Sequence, residues 1–167
     1  ERHQVPSLAG VISIFGRQTN RTERIELTTD RGPNFDRTVA ALAEVGGEAL
    51  GEMSDERVVG SITPTEQALN WRWHFPVDTP IGERRKLVAE ERHVAITERW
   101  AEVARPGLGG KTPLAAASDP QLRIPLMAAV LILEQGSNTQ GDSASIAVLR
   151  DKLGLPQPEP IDATNER

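Results

Sequence analysis

The chain contains no cysteine and no tyrosine among its 167 residues. Without cysteine it cannot form disulfides, use a thiolate nucleophile, or hold zinc or an iron–sulfur cluster through sulfur. Aromatic residues make up only 4% of the sequence. Because tryptophan buries a large apolar surface, we expect the three tryptophans, Trp71, Trp73 and Trp100, to contribute most to packing.

The common catalytic and cofactor-binding patterns are missing as well. The histidines His3, His74 and His93 do not share the spacing of metal ligands. A segment ending in Lys111-Thr112 looks like a phosphate-binding loop, but that loop needs a glycine where Arg105 stands. No Gly-x-Ser-x-Gly nucleophile motif occurs. The sequence therefore predicts a protein that is not an enzyme and that binds no metal, nucleotide or other cofactor.

A basic face and a long apolar run are also absent. The net charge of −5 argues against a dedicated nucleic-acid-binding domain, which usually carries a positive surface. The apolar runs at residues 11–15 and 124–133 are too short to span a bilayer. We therefore expect a cytoplasmic protein without a membrane segment, and the first residue and the polar end at residues 162–167 predict a fragment of a larger protein.

Runs of β-branched and alternating residues predict strands in the first half of the chain. Residues 11–15 and 24–28 read as a hairpin, and residues 57–62 as a further strand. At residues 69–75 four large apolar side chains alternate with polar ones, as in a half-buried strand. Apolar residues at helical spacing predict a helix over residues 35–45. The first half is therefore predicted as a small antiparallel sheet with a covering helix.

Helix signals dominate the second half. A capping residue followed by proline occurs at Thr112-Pro113 and again at Asp119-Pro120. Every residue in the range 84–103 is compatible with a helix, and the imperfect apolar spacing allows a break near Thr97. Residues 122–133 are apolar almost all round, which predicts a buried helix. A last helix should follow a polar loop at residues 136–142 and end at Gly154, which suits a left-handed C-terminal position.

These elements predict an α+β fold in two parts. Residues 1–77 form the predicted α+β unit, and residues 78–155 form the predicted helical unit. Residues 156–167, with their alternating prolines, are predicted to be a linker or a cut end.

One motif in the helical half combines a tryptophan with a glycine-rich turn. Its residues are Trp100, Pro106, Leu108, Gly109, Gly110, Lys111, Thr112 and Pro113. Together they resemble the toxin-binding module of Xre/MbcA/ParS-type bacterial antitoxins, over residues 91–134, about a quarter of the chain. The resemblance implies a similar local fold: a helix with tryptophan, the turn, and then short helices.

The same motif also has an explanation that needs no partner. Gly109 and Gly110 permit a tight bend, Thr112 caps a helix that starts at Pro113, and Trp100 packs underneath. In that interpretation the turn is a structural hinge. The most favoured function is a non-catalytic protein-interaction or scaffolding module of a larger bacterial protein, with an unidentified protein partner. The alternative is an accessory domain that binds a small ligand or nucleic acid for an enzyme.

Overall fold

The fold is α+β, as the sequence predicts. The computed structural model describes residues 1–136 and 140–158. Within these ranges two antiparallel strands, β1 (Gly10–Phe15) and β2 (Arg24–Thr29), form the sheet. The helices are α1 (Phe35–Gly46), α2 (Pro64–Leu69), α3 (Ile81–Val94), α4 (Pro113–Ala116), α5 (Arg123–Gly136) and α6 (Gln140–Lys152). A π-helical turn, Ala95–Arg99, and a 3-10 turn, Trp100–Glu102, continue α3, and further 3-10 turns lie at Arg2–Gln4, Gly47–Ala49, Pro106–Leu108 and Pro120–Leu122.

The chain forms two compact units. The helical unit contains Glu1–Gln4, Ile62–Trp71 and the described residues from Pro76 to residue 158, and the hairpin unit contains Val5–Ser61 and Arg72–Phe75. These units group the residues differently from the ranges 1–77 and 78–155, because α2 and the first four residues pack with the helices. The division into domains at those boundaries stays a prediction.

The core lies in the helical unit, and helical spacing explains which side chains build it. Ile96 and Trp100 are four residues apart, α5 contributes three apolar residues within two turns, and α6 contributes two that are three residues apart. The buried cluster consists of Ile96, Trp100, Ala101, Leu108, Ala116, Leu126, Val130, Leu133, Ile146, Leu149, Leu153 and Leu155. Gly154 has a positive φ of 63°, as predicted for the residue that ends α6.

The irregularity expected near Thr97 is the π-helical turn at Ala95–Arg99. The Thr97 hydroxyl donates to the carbonyl of His93 at 2.8 Å, and Lys152 Nζ donates to the carbonyl of Thr97 at 3.0 Å. One extra residue in a turn shifts the following side chains around the helix axis. The shifted segment places both Ile96 and Trp100 in the core.

The hairpin unit is built from a regular ladder. The strands pair from Gly10 opposite Thr29 to Phe15 opposite Arg24, and α1 contacts β2. The Arg24 guanidinium lies 4.0 Å from the centre of the Phe15 ring. None of the residues in this unit is fully buried. The hairpin and its helix therefore form without a closed core.

Two predicted strands are wrong. Residues 57–62 have no regular secondary structure, and residues 63–69 form a capped helix. The Thr63 hydroxyl accepts from the backbone N–H of Glu66, and the Glu66 carboxylate accepts from that of Thr63, which is a capping box. Residues 71–75 alternate in exposure as predicted, but among the described residues they form an isolated bridge, between Ser7 and Trp73, and no regular strand.

The helix predicted to be buried all round is buried on one face only. Leu126, Val130 and Leu133 of α5 face the core. On the opposite face Ile124 is 76% exposed and Ile132 is 70% exposed. We call the four exposed apolar residues of this face the α5 stripe: Ile124, Ala128, Leu131 and Ile132.

Two further predictions fall partly outside the described residues. The polar loop at residues 136–142 is shorter than predicted, because α5 extends to Gly136 and α6 begins at Gln140, and residues 137–139 lie outside the description. Of the predicted linker or cut end at residues 156–167, only residues 156–158 are described, and they have no regular secondary structure.

Candidate interaction site

The glycine turn, residues 105–111, is closed by hydrogen bonds within its own backbone. The N–H of Arg105 donates to the carbonyl of Lys111 at 3.0 Å, and the N–H of Gly110 donates to the carbonyl of Arg105 at 2.9 Å. Gly109 and Gly110 have φ values of 64° and 79°, in the left-handed region. Two consecutive residues of this kind explain why the sequence has a glycine pair at this point.

The turn ends in the helix start that its sequence predicts. The Thr112 hydroxyl accepts from the backbone N–H of Ala115 at 3.2 Å, and Pro113 occupies the first turn of α4. A proline there loses no helical hydrogen bond, because the first N–H groups of a helix have no partner within it. The Thr112-Pro113 part of the motif is therefore explained by the capped start of α4.

The turn has an inner and an outer side. Trp100 and Leu108 are each 1% exposed, and Pro113 is buried beside them. Thr112 is half-buried, while Pro106, Gly109, Gly110 and Lys111 are exposed. The structure therefore brings all eight motif residues into one substructure, with Trp100, Leu108 and Pro113 underneath and Pro106, the two glycines and the lysine on the surface.

The exposed lysine has a partner within the turn. Its Nζ lies 2.9 Å from Oδ2 of Asp119. The hydrogen bond from Lys111, together with one from the backbone of Gln121, holds the pKa of Asp119 below its usual value. Lys111 therefore ties the turn to the start of the next 3-10 helix and is not a free charge.

Arg105 was missed by the sequence analysis and lies at the centre of this substructure. Its Cζ is 4.0 Å from the centre of the Trp100 ring, so the guanidinium covers one face of the indole. Its Nη1 donates to the hydroxyl of Thr65 on α2 at 3.1 Å. Burial lowers the pKa of Arg105. An arginine that reaches both a tryptophan and a distant helix leaves no periodic signal in the sequence.

The α5 stripe was also missed, although its signal was present. Residues 122–133 are apolar on almost every side of the helix, and this pattern predicts that the whole helix is buried. A helix of this composition can instead turn one apolar face to the core and the other to a partner. Ile124 and Ile132 are on the face that the described residues leave uncovered.

Most buried charges of the helical unit are paired. The carboxylate of Glu91 accepts from Nη1 of Arg2 at 2.6 Å and also from Nη1 of Arg99. Arg92 pairs with Asp142, and Arg150 donates to Glu134 through Nε at 2.7 Å and Nη2 at 2.9 Å. These ion pairs connect α3, α5 and α6 to neighbouring segments. Their role is therefore to hold the helices of the unit together.

One serine–histidine contact lies in the helical unit, between Ser145 Oγ and His93 Nδ1 at 3.0 Å. Ser145 is only 5% exposed, so its hydroxyl is not presented to a substrate. A nucleophile of this type also needs an open approach for the reacting carbon. The contact is therefore explained as a structural hydrogen bond between α3 and α6.

Among the described residues no group of three histidine or carboxylate side chains is arranged to hold a metal ion. No helix in residues 1–136 and 140–158 is long and apolar enough to cross a membrane. Comparison with protein-family models, with curated proteins and with solved structures gives no match.

Proposed function

We propose that this chain is a non-catalytic protein-interaction module, and that its helical unit binds a partner protein through the α5 stripe. The observation that carries the proposal is the exposure of Ile124 and Ile132, at 76% and 70%, on a helix whose other face is fully packed. Continuous exposed apolar surface of this kind is typical of protein interaction sites.

Burial of the stripe supplies a driving force for association. Removing one large aliphatic side chain from water contributes about 1.5–3 kcal/mol. Ile124, Leu131 and Ile132 lie at helical spacing on one face, so a single apolar groove or helix of the partner would cover them together. The stripe is also held in place by the core, because Leu126, Val130 and Leu133 on the opposite face of α5 are packed in the buried cluster.

The resemblance to the antitoxin module supports the same class of function. Residues 91–134, which carry the resemblance, include the glycine turn and nearly all of α5. The turn contacts α5 through its 3-10 segment Pro106–Leu108 and so helps to hold the helix in place. We propose that the module is bacterial, as the resemblance implies, and that it acts in the cytoplasm, a compartment in which proteins rarely depend on disulfides.

Substitution of Leu131 tests this function. Leu131 is 46% exposed, so Leu131→Glu should leave the fold intact and should reduce capture of the partner from lysate of the source cells at least ten-fold, because it places a charge in the apolar contact. Capture is measured by affinity purification with the tagged chain and quantitative mass spectrometry.

Val148→Glu is the matched control, because Val148 is 47% exposed and lies on α6 of the same unit. The control should capture the same partner as the wild type. Equal capture by Leu131→Glu and the wild type would contradict the proposal, as would an equal loss in both variants.

A further inference from the structure

The outer face of α5 has the same residue types in both directions from Ala128. Ile124 and Ile132 each lie four residues from Ala128. Gln121, in the 3-10 turn that runs directly into α5, and Gln135 each lie seven residues from it. All five side chains are exposed, and steps of four and seven residues keep them on one face of a helix. Such a face is complementary to itself about a two-fold axis at its centre.

Antiparallel pairing of two such faces brings aliphatic side chains together. With the two-fold axis at Ala128, Ile124 of one copy lies level with Ile132 of the second copy and beside its Leu131. The same contact occurs twice, so six large aliphatic side chains leave water. The small side chain of Ala128 at the centre allows the two helices to approach closely. A parallel pair lacks this match of apolar groups.

The polar groups of the same helix also favour the antiparallel arrangement. Gln121 lies level with Gln135 of the second copy, and one amide can both donate to and accept from another. Arg123 is exposed at the N-terminal, positive end of α5. In the antiparallel pair it lies beside the C-terminal turn of the other α5, where the last carbonyl groups and Glu134, which is also bonded to Arg150, are negative.

From this symmetry we propose that the partner at the α5 stripe is a second copy of this chain, bound antiparallel about a two-fold axis at Ala128. The inference rests on the proposed function, because it names the partner of the same surface. The five symmetric positions carry no charged side chain, so the pairing buries no charge in its centre.

The size of the surface sets the expected strength. The helix has 14 residues. A contact between two helices of about 20 Å buries less than the roughly 1,600 Å² of a standard interface. We therefore expect a reversible dimer with a Kd of about 1–100 µM. Sedimentation velocity of the purified chain over a concentration series measures this equilibrium.

The absence of cysteine makes the position of the two-fold axis directly testable. Two packed helices bring residues on the axis to within about 6 Å between Cα atoms, a distance that a disulfide spans. Ala128→Cys, oxidised with copper phenanthroline, should therefore form a disulfide-linked dimer on a non-reducing gel. Val148→Cys, at an exposed position of α6, is the matched control and should stay largely monomeric.

A pair of charge variants tests the register. Ile124→Lys and Ile132→Glu should each weaken self-association at least about ten-fold, because each puts two unpaired charges into the apolar contact. In an equal mixture, the new lysine of one variant faces the new glutamate of the other, and the second half of the contact stays aliphatic. The mixture should associate at least about ten-fold more tightly than either variant alone.

Each variant is first checked for folding by circular dichroism, and the wild-type chain itself provides the first test. A chain that stays monomeric up to about 500 µM overturns this inference. It leaves the proposed function standing if residue 131 cross-links to a different protein. Equal disulfide formation at positions 128 and 148 would also overturn the inference, as would a mixture of the charge variants that associates no better than either alone.

Discussion

At the scale of single residues, the glycine turn was predictable and its arginine was not. A glycine pair, a capping threonine and a following proline act on backbone groups a few residues away, so the sequence records their geometry directly. The stacking of Arg105 on Trp100 and its bond to Thr65 depend on tertiary packing. Sequence reasoning used Arg105 only to exclude a phosphate-binding loop.

The positive φ values of Gly109 and Gly110 lead to a prediction about stability. A Cβ at either position would meet no atom within 4 Å, so the cost of alanine comes from the backbone conformation alone. Gly109→Ala and Gly110→Ala should each lower the free energy of unfolding by about 1 kcal/mol. Urea denaturation followed by circular dichroism measures the change.

Gly107 provides the matched control for this experiment. It lies two residues away, has equally open space around its Cα, and does not have a positive φ. Gly107→Ala should leave stability unchanged or raise it slightly, because alanine reduces the entropy of the unfolded chain. Equal destabilisation at positions 107, 109 and 110 would argue against the left-handed turn.

At the scale of elements, a prediction succeeded where nearby residues specify the structure. It failed where a strand depends on pairing with a distant segment. The hairpin of β1 and β2 was predicted from a β-branched run, an alternating run and the polar segment between them, which are signals within about twenty residues of chain. The strand at residues 57–62 was wrong because no neighbouring strand pairs with it. The alternation at residues 71–75 gave the exposure pattern but could not show that a single bridge replaces a ladder.

Helix α2 was missed for a different reason. The segment Pro64-Thr65-Glu66-Gln67 has the composition of a turn and predicts no helix, although Thr63 with glutamate three residues later is the signature of a capping box. The proline in this segment favours both turns and helix starts. The reciprocal hydrogen bonds between Thr63 and Glu66 stabilise the helix start.

The ion pairs of Glu91, on α3, predict a pH dependence. Burial raises the pKa of Glu91, but the hydrogen bonds from Arg2 and Arg99 and their charges outweigh it, and the net pKa lies below the ordinary 4.5. A depressed carboxylate pKa stabilises the fold at pH values above the unfolded pKa, and this stabilisation is lost as the pH falls through the folded pKa. Glu91→Gln should lower stability by about 1–3 kcal/mol at pH 7.

The difference between the wild type and Glu91→Gln should be constant above about pH 5 and should shrink as the pH falls below 4.5. Urea midpoints measured between pH 3 and pH 7 give this difference. Glu90→Gln, an exposed neighbour on α3, is the control and should follow the wild type. A difference that grows towards low pH would contradict the assignment.

At the scale of the whole molecule, the two units differ in what stabilises them. Every residue of the buried cluster belongs to the helical unit, whereas no residue of the hairpin unit is fully buried. Composition and periodicity predicted an α+β chain with helices in its second half. They could not predict that α2 packs with those helices, because a contact between distant segments has no periodic signature.

Site-specific photo-crosslinking in the source cells shows whether the α5 stripe contacts a partner protein. A benzophenone amino acid would replace Leu131 on the stripe or, as the control, Val148 on α6, which are almost equally exposed. We expect a strong adduct with one partner protein from position 131 and little or none from position 148. An adduct from position 148 with none from position 131 would contradict it, and so would the absence of any adduct from both positions.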